Sequence, residues 1–178
     1  RTLTGANVQF VSTVAASGVD DTLTIAVGNL NLDGAATVES LTVAEEANFD
    51  ANVTAHAGIT VSDKTTIDEG KTITLESGSV TTGNMSLEEV VGTALGADET
   101  LVLNSNSSTI AVTGAVSDLA NLTITQSGGA TFSGAVTLSD TLTLTDTTDA
   151  ADIIFNGAVT AKTLTTQNPA YDLTFNAG

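Results

Sequence analysis

"TFSGAVTLSDTLTL", Thr131–Leu144, is answered about twenty residues later by "IFNGAVTAKTLTT", Ile154–Thr166. Neither stretch contains His, Cys or Arg, so the repetition points to architecture before chemistry. In "TLTL" the apolar and polar residues alternate, and that period of two places Leu142 and Leu144 on one face of a strand and the Thr residues on the other. The "SGA" and "NGA" trios read as corners, where Gly relieves the sterics of a sharp bend.

The phrase recurs along the whole chain. Its central apolar residue is Leu3, Leu23, Leu41, Ile59, Val80, Leu101, Leu122, Leu142 and Leu164, in steps of 18 to 22 residues. A second phrase keeps the same period, opening on Phe10, Leu32, Phe49, Ile67, Leu87, Val112, Phe132, Phe155 and Phe175. Two phrases sharing one period over nine copies predict a stacked repeat, because one coil of about twenty residues cannot bury its apolar row alone. The expected fold is all-β: a single parallel β-solenoid, or β-helix, over residues 1–178, with about nine coils. Parallel strands lie about 4.8 Å apart, which makes a rod roughly 40 Å long. An antiparallel sandwich also has short alternating strands, but it requires no strict period. The second-phrase residues are expected to form one inside column.

One segment breaks the rhythm. In "NMSLEEVVGTALGADE", Asn84–Glu99, Met85, Leu87, Val90, Val91 and Leu95 fall near helical spacing. Two readings stand here: a short helical excursion over 84–96, with Asn84 or Ser86 as its cap, or a bulged turn that keeps Leu87 and Val91 in the inside columns.

Composition narrows the function. Acidic residues number 21 against 4 basic ones, for a net charge of −17, which argues against nucleic acid and anionic membrane surfaces as partners. Aromatics are 3% of the chain, so the core must be built from Val, Leu, Ile and Ala. There is no Cys, which removes disulfides, thiolate metal sites and thiol nucleophiles. No apolar run approaches the ~20 residues of a membrane-spanning helix. Arg1 is the only Arg, His56 the only His, and Lys64, Lys71 and Lys162 the only Lys. No catalytic constellation emerges, and the expectation is no enzyme, no catalytic residue and no cofactor. Calcium is the one ion the acids suggest, through Asp20 and Asp21, Asp68 and Glu69, and Asp146, Asp149 and Asp152. None has a calcium-loop spacing, and they read as turn residues. The sequon matches at Asn52, Asn106 and Asn121 arise by chance in a chain rich in Thr and Asn.

The most specific surface feature is the outward Thr ladder. Thr4, Thr24, Thr42, Thr60, Thr81, Thr123, Thr143 and Thr165 are expected on one face as a candidate binding face, with Thr2, Thr22, Thr100, Thr141 and Thr163 beside them. Such a grid resembles the ice-binding face of some antifreeze solenoids, although Ser40, Gly58, Ser79, Val102 and Asn121 interrupt it.

The run "AVSDLANLTITQSGGATFSGAVTLSDTLTLT", Ala115–Thr145, resembles the β-strand repeats of large bacterial surface proteins, the filamentous-haemagglutinin-like adhesins and autotransporter passenger repeats. The resemblance rests on low-complexity patterning over most of the chain. It implies a right-handed parallel β-helix, secretion to the prokaryotic cell surface, and a structural or adhesive role. It carries over no functional residue. Neither end shows a polar cap: "RTLTGANVQF" begins in mid-phrase and "LTFNAG" stops inside one. The expected partners are therefore copies of itself end to end, or neighbouring repeats of a longer chain, with surface carbohydrate as a further ligand. The alternative function is an ice- or carbohydrate-binding module using the Thr ladder.

Overall fold

The computed structural model describes residues 2–15, 21–78, 83–93, 98–145, 151–167 and 171–177. Among them no residue is helical, and every strand pairing is parallel. The chain is a β-solenoid. Thirteen strands form a wide sheet and eight form a narrow one. The wide sheet has nine layers, because a long strand such as Leu23–Leu32 sits against two short ones, Leu41–Val43 and Ala47–Phe49, in the next coil. The narrow sheet has eight layers. The end layers are partial, so the nine expected coils amount to about seven turns.

Alternation sets the core. Leu41–Val43, Ala47–Phe49 and Val53–Ala55, the three strands of one coil, each bury their first and third residues. In-register stacking then turns these positions into continuous columns. Leu23, Leu41, Ile59, Met85, Ile110, Ala130, Ile153 and Leu173 form one column of the wide sheet. Leu101, Leu122, Leu142 and Leu164 form one of the narrow sheet.

This register corrects the sequence reading in three places. The first phrase does not make one column: Leu23, Leu41 and Ile59 lie in the wide sheet and Leu101 onward in the narrow one. The second phrase also splits. Phe10, Leu32, Phe49 and Ile67 stack together, while Leu87, Val112, Phe132, Phe155 and Phe175 stack on Val61, Val43, Ile25 and Leu3. The cause is coil length. From Leu23 to Leu41 and from Leu41 to Ile59 a coil takes 18 residues, but it takes 26 from Ile59 to Met85 and 25 from Met85 to Ile110. A phrase recurring every twenty residues falls one face short in these longer coils. Both sheets accept the same apolar–Thr words, so the slip leaves no mark in the pattern.

The third correction is the proposed helix. Met85–Gly92 is a strand, paired with Ile59–Ile67 on one side and with Ile110–Val112 and Val116–Leu119 on the other. Met85, Leu87 and Val90 are buried, and the register shifts between Leu87 and Glu89. That irregularity stretches one two-residue step to three and imitates helical spacing. Of the bulged-turn reading, Leu87 does face inward, but half-exposed Val91 yields its place to Val90. Leu95, Val80, Thr81, Asp20, Asp146 and Asp149 lie outside the described residues.

The Gly corners stand where the sequence put them, for a sharper reason than bending. A Cβ on Gly134 would lie 2.2 Å from the Gly114 carbonyl oxygen, and one on Gly157 would lie 2.3 Å from the Gly134 carbonyl group. The coils approach so closely there that no side chain fits between them. The opposite corner uses left-handed backbone at Gly78 (φ 69°) and Asn106 (φ 54°), where the Asn106 side-chain amide donates to the Ser77 carbonyl at 2.9 Å.

Candidate functional site

The phase slip divides the predicted Thr ladder between two faces. Thr24, Thr42 and Thr60 stack on the wide sheet below Thr2, and their column continues through Ser86, Ala111, Thr131, Ile154 and Thr174. Thr4 is displaced by a register irregularity and pairs with Val27. Thr123, Thr143 and Thr165 stack on the narrow sheet, in line with Thr74 and Val102. Beside them Thr72, Thr100 and Asn121 pair in register, as do Thr141 and Thr163. The structure thus assembles two adjacent Thr ranks on the narrow sheet and one on the wide sheet. Thr72 and Thr74 were not legible as part of the ladder because "TIT" begins on the last residue of a copy of the second phrase, "IDEGKT", and falls between two copies of the first. Asn121 fits the rank through its side chain, which donates to Thr100 Oγ1 at 3.1 Å and accepts from the Thr141 amide at 3.2 Å.

A second polar surface was not legible in the repeat. On the outer face of the wide sheet Gln9, Asn31, Asn48 and Thr66 stack in register, next to a column that opens with Asn7 on Asn29. The second column continues through Glu46, which accepts from the Asn29 amide at 3.3 Å and pairs with Lys64 at 3.0 Å. Asn48 donates to Asn31 at 3.1 Å, and Gln9 donates to Asp33 at 2.9 Å. The two columns border a groove of about 320 Å³. Each side chain here is dictated by strand alternation: the residues between them, Val8, Leu30, Ala47 and Thr65, face the core. The signal available in the sequence was the pair "NVQF" and "NLNL", Asn7–Phe10 and Asn29–Leu32, whose amides alternate with core residues.

Two of the four basic residues, Lys64 and Lys71, form ion pairs with carboxylates of the preceding coil. The Lys64 ammonium donates to Glu46 and is attracted by its charge, which raises the lysine pKa above its ordinary value. Lys71 is raised in the same way by Asp50, 2.8 Å away. His56 is half-buried in the corner after Val53–Ala55. Of the acids considered for calcium, Asp68 accepts from Thr93 Oγ1 at 3.4 Å, and Asp21, Glu69 and Asp152 are exposed or partly so. Among the described residues no group of three or more His, Asp or Glu side chains is arranged to hold a metal ion. The sequon residues have local roles: Asn52 accepts from the Thr74 amide at 2.8 Å, and Asn106 and Asn121 make the bonds given above.

The final coils present a different chemistry. Leu142, Val159, Ala161, Leu164, Phe175 and Ala177 line an apolar recess of about 310 Å³, with Leu164 47% and Phe175 44% exposed. Phe175 stacks on Phe155 at 5.3 Å, and Phe155 on Phe132 at 4.9 Å.

Comparison with family models, with curated proteins and with solved structures finds no match. The functional reading rests on this geometry.

Proposed function

We propose that the chain is a structural rod of the prokaryotic cell surface, extracellular and adhesive or filament-forming, built to continue coil upon coil. The observation that carries this reading is the continuous parallel stack, in which successive coils are hydrogen-bonded to one another through both sheets. Such a stack resists bending and extension because deformation must break many backbone bonds together. The apolar recess at Leu164 and Phe175 supports continuation: large exposed apolar surface on a stacked end invites another coil. Leu3, Val8, Phe10 and Val14 of the first layer are only partly buried and offer a matching apolar face. The cover is either further coils of a longer chain or a second copy placed head to tail, which generates open filaments.

Electron microscopy and sedimentation over a concentration series, with and without calcium, test this. Filaments with a subunit repeat of roughly 35–40 Å are the expected result for head-to-tail stacking. Leu164→Lys and Phe175→Lys, both at exposed positions, should abolish them while leaving the far-ultraviolet spectrum unchanged. Monodisperse particles at every concentration would remove self-assembly and leave the longer-chain form of the reading.

The doubled Thr rank on the narrow sheet favours a second reading, an ice-binding face. Hydroxyls and methyls recur there in two directions on one parallel sheet. Inhibition of ice recrystallisation by the native chain, lost in Thr123→Tyr/Thr143→Tyr and kept in Thr131→Tyr on the wide sheet, is its test. An inactive native chain removes it.

A further inference from the structure

We propose that the amide-lined groove on the wide sheet is a binding site for a neutral saccharide chain. It lies on the outer face of the wide sheet, away from the Leu164–Phe175 end and from the Thr ranks of the narrow sheet; its first layer, Asn7 and Gln9, shares the strand Thr2–Phe10 with the end-face residues Val8 and Phe10 but alternates to the outside, so the proposal does not depend on end-to-end stacking.

Hydrogen-bonding capacity is the first argument. A sugar hydroxyl donates and accepts at once, and carboxamides answer both needs on one side chain. The amide nitrogens of Gln9, Asn29 and Asn48 are already committed, to Asp33, Glu46 and Asn31 respectively. Among the described residues the Asn31 side-chain nitrogen and the whole Asn7 amide remain uncommitted, as do the carbonyl oxygens of Gln9 and Asn29. Donors and acceptors are thus interleaved along the groove.

Charge is the second argument. The chain carries −17 overall, yet in this groove the Glu46 carboxylate is balanced by Lys64 at 3.0 Å. A polyanion gains nothing from a balanced pair and is repelled by the rest of the molecule. A cation meets one carboxylate, Glu46, that already holds an ammonium, and at the edge a second, Asp33, that already accepts from Gln9. What remains is a neutral, hydroxyl-rich ligand.

Shape is the third. At about 320 Å³ the groove is at the small end of the range for ligand sites, roughly 300–1,000 Å³. It runs across four layers, so similar side chains recur about every 4.8 Å along the axis. A polymer with repeating hydroxyls can follow that repeat, whereas a compact ligand would use only one step. The groove contains no aromatic ring, so a single oligosaccharide should bind weakly, with a dissociation constant on the order of millimolar. Several copies on one surface would raise the effective affinity.

The test is a nitrogen-15 NMR titration of the intact chain with cellohexaose, maltohexaose and xylohexaose, with alginate as the polyanionic comparison. Shifts of Asn7, Asn29, Asn31 and Asn48 side-chain amides by at least one neutral hexaose, and not by alginate, are expected. Asn31→Ala/Asn48→Ala should weaken binding at least tenfold, and Thr143→Ala on the narrow sheet should leave it unchanged. Asn7→Ala, at an exposed position, should act in the same direction and stands in if the double variant does not fold. No shift with any of the three at millimolar concentration overturns the proposal. So do shifts confined to the narrow sheet, binding of alginate alone, or undiminished binding by the groove variants.

Discussion

Replacing Gly134 with Ala should open the solenoid at one corner. The new methyl group would meet three backbone atoms of the coil below: Gly114 O at 2.2 Å, Gly114 C at 2.3 Å and Ala115 N at 2.7 Å. Ordinary contact begins at 3.4 Å, so the two coils must part by roughly 1 Å. No flexible side chain can absorb that movement, because every atom in the way belongs to the main chain. Two inter-coil bonds flank the site, Ser133 N to Val112 O and Val116 N to Ala135 O, each 2.8 Å long. An added ångström breaks both, at about 1 kcal/mol each. Overpacking costs a further ~1–3 kcal/mol. Against this, Ala restricts the unfolded chain and returns at most about 1 kcal/mol. The net loss is roughly 2–4 kcal/mol, which lowers the melting temperature of a chain this long by roughly 5–15 °C. Thermal melting followed by circular dichroism measures it, with Ser133→Ala, one residue away and exposed, as the comparison that should stay within about 0.5 kcal/mol of the parent. If Gly134→Ala melts with the parent, the corner is not closed by coil-to-coil contact and the explanation of the repeated Gly is wrong.

Three further outcomes are expected. Phe155 is buried between two stacked rings, so Phe155→Ala should cost about 3–5 kcal/mol in urea denaturation, while Phe155→Leu should lose distinctly less. Asn106→Ala should destabilise by about 1–3 kcal/mol, from left-handed backbone strain and the lost bond to Ser77, and Asn106→Gly should recover the strain component alone. Lys64 and Lys71 both have folded-state pKa values raised by their carboxylate partners. Their contribution is complete below the unfolded lysine value of about 10.4 and is lost as pH rises through the folded values. Melting temperatures should therefore fall above that pH in the parent, and fall less in Lys64→Met/Lys71→Met, the difference shrinking in high salt.

The class of fold and the kind of core follow from local pattern. Alternation in "TLTL" assigns inside and outside within a strand, since the strand period is two whatever its neighbours are. Recurrence of the phrase requires stacking, because three-residue strands cannot bury their apolar faces alone. The small-residue corners at Gly114, Gly134 and Gly157 were legible for the same local reason. Which copy lies over which is set by long-range packing. Phase depends on the full length of each coil, and the longer coils between Ile59 and Ile110 move later phrases from one sheet to the other. That shift divided the Phe column in two, separated Thr24, Thr42 and Thr60 from Thr123, Thr143 and Thr165, and brought Thr72 and Thr74 into the second group. Met85, Leu87 and Val90 looked helical because a one-residue irregularity inside a strand changes its period locally, which spacing alone cannot distinguish from a turn of helix. The groove of Asn7, Gln9, Asn29, Asn31 and Asn48 depended wholly on register. Each amide is an ordinary outward strand residue until stacking sets it beside the next.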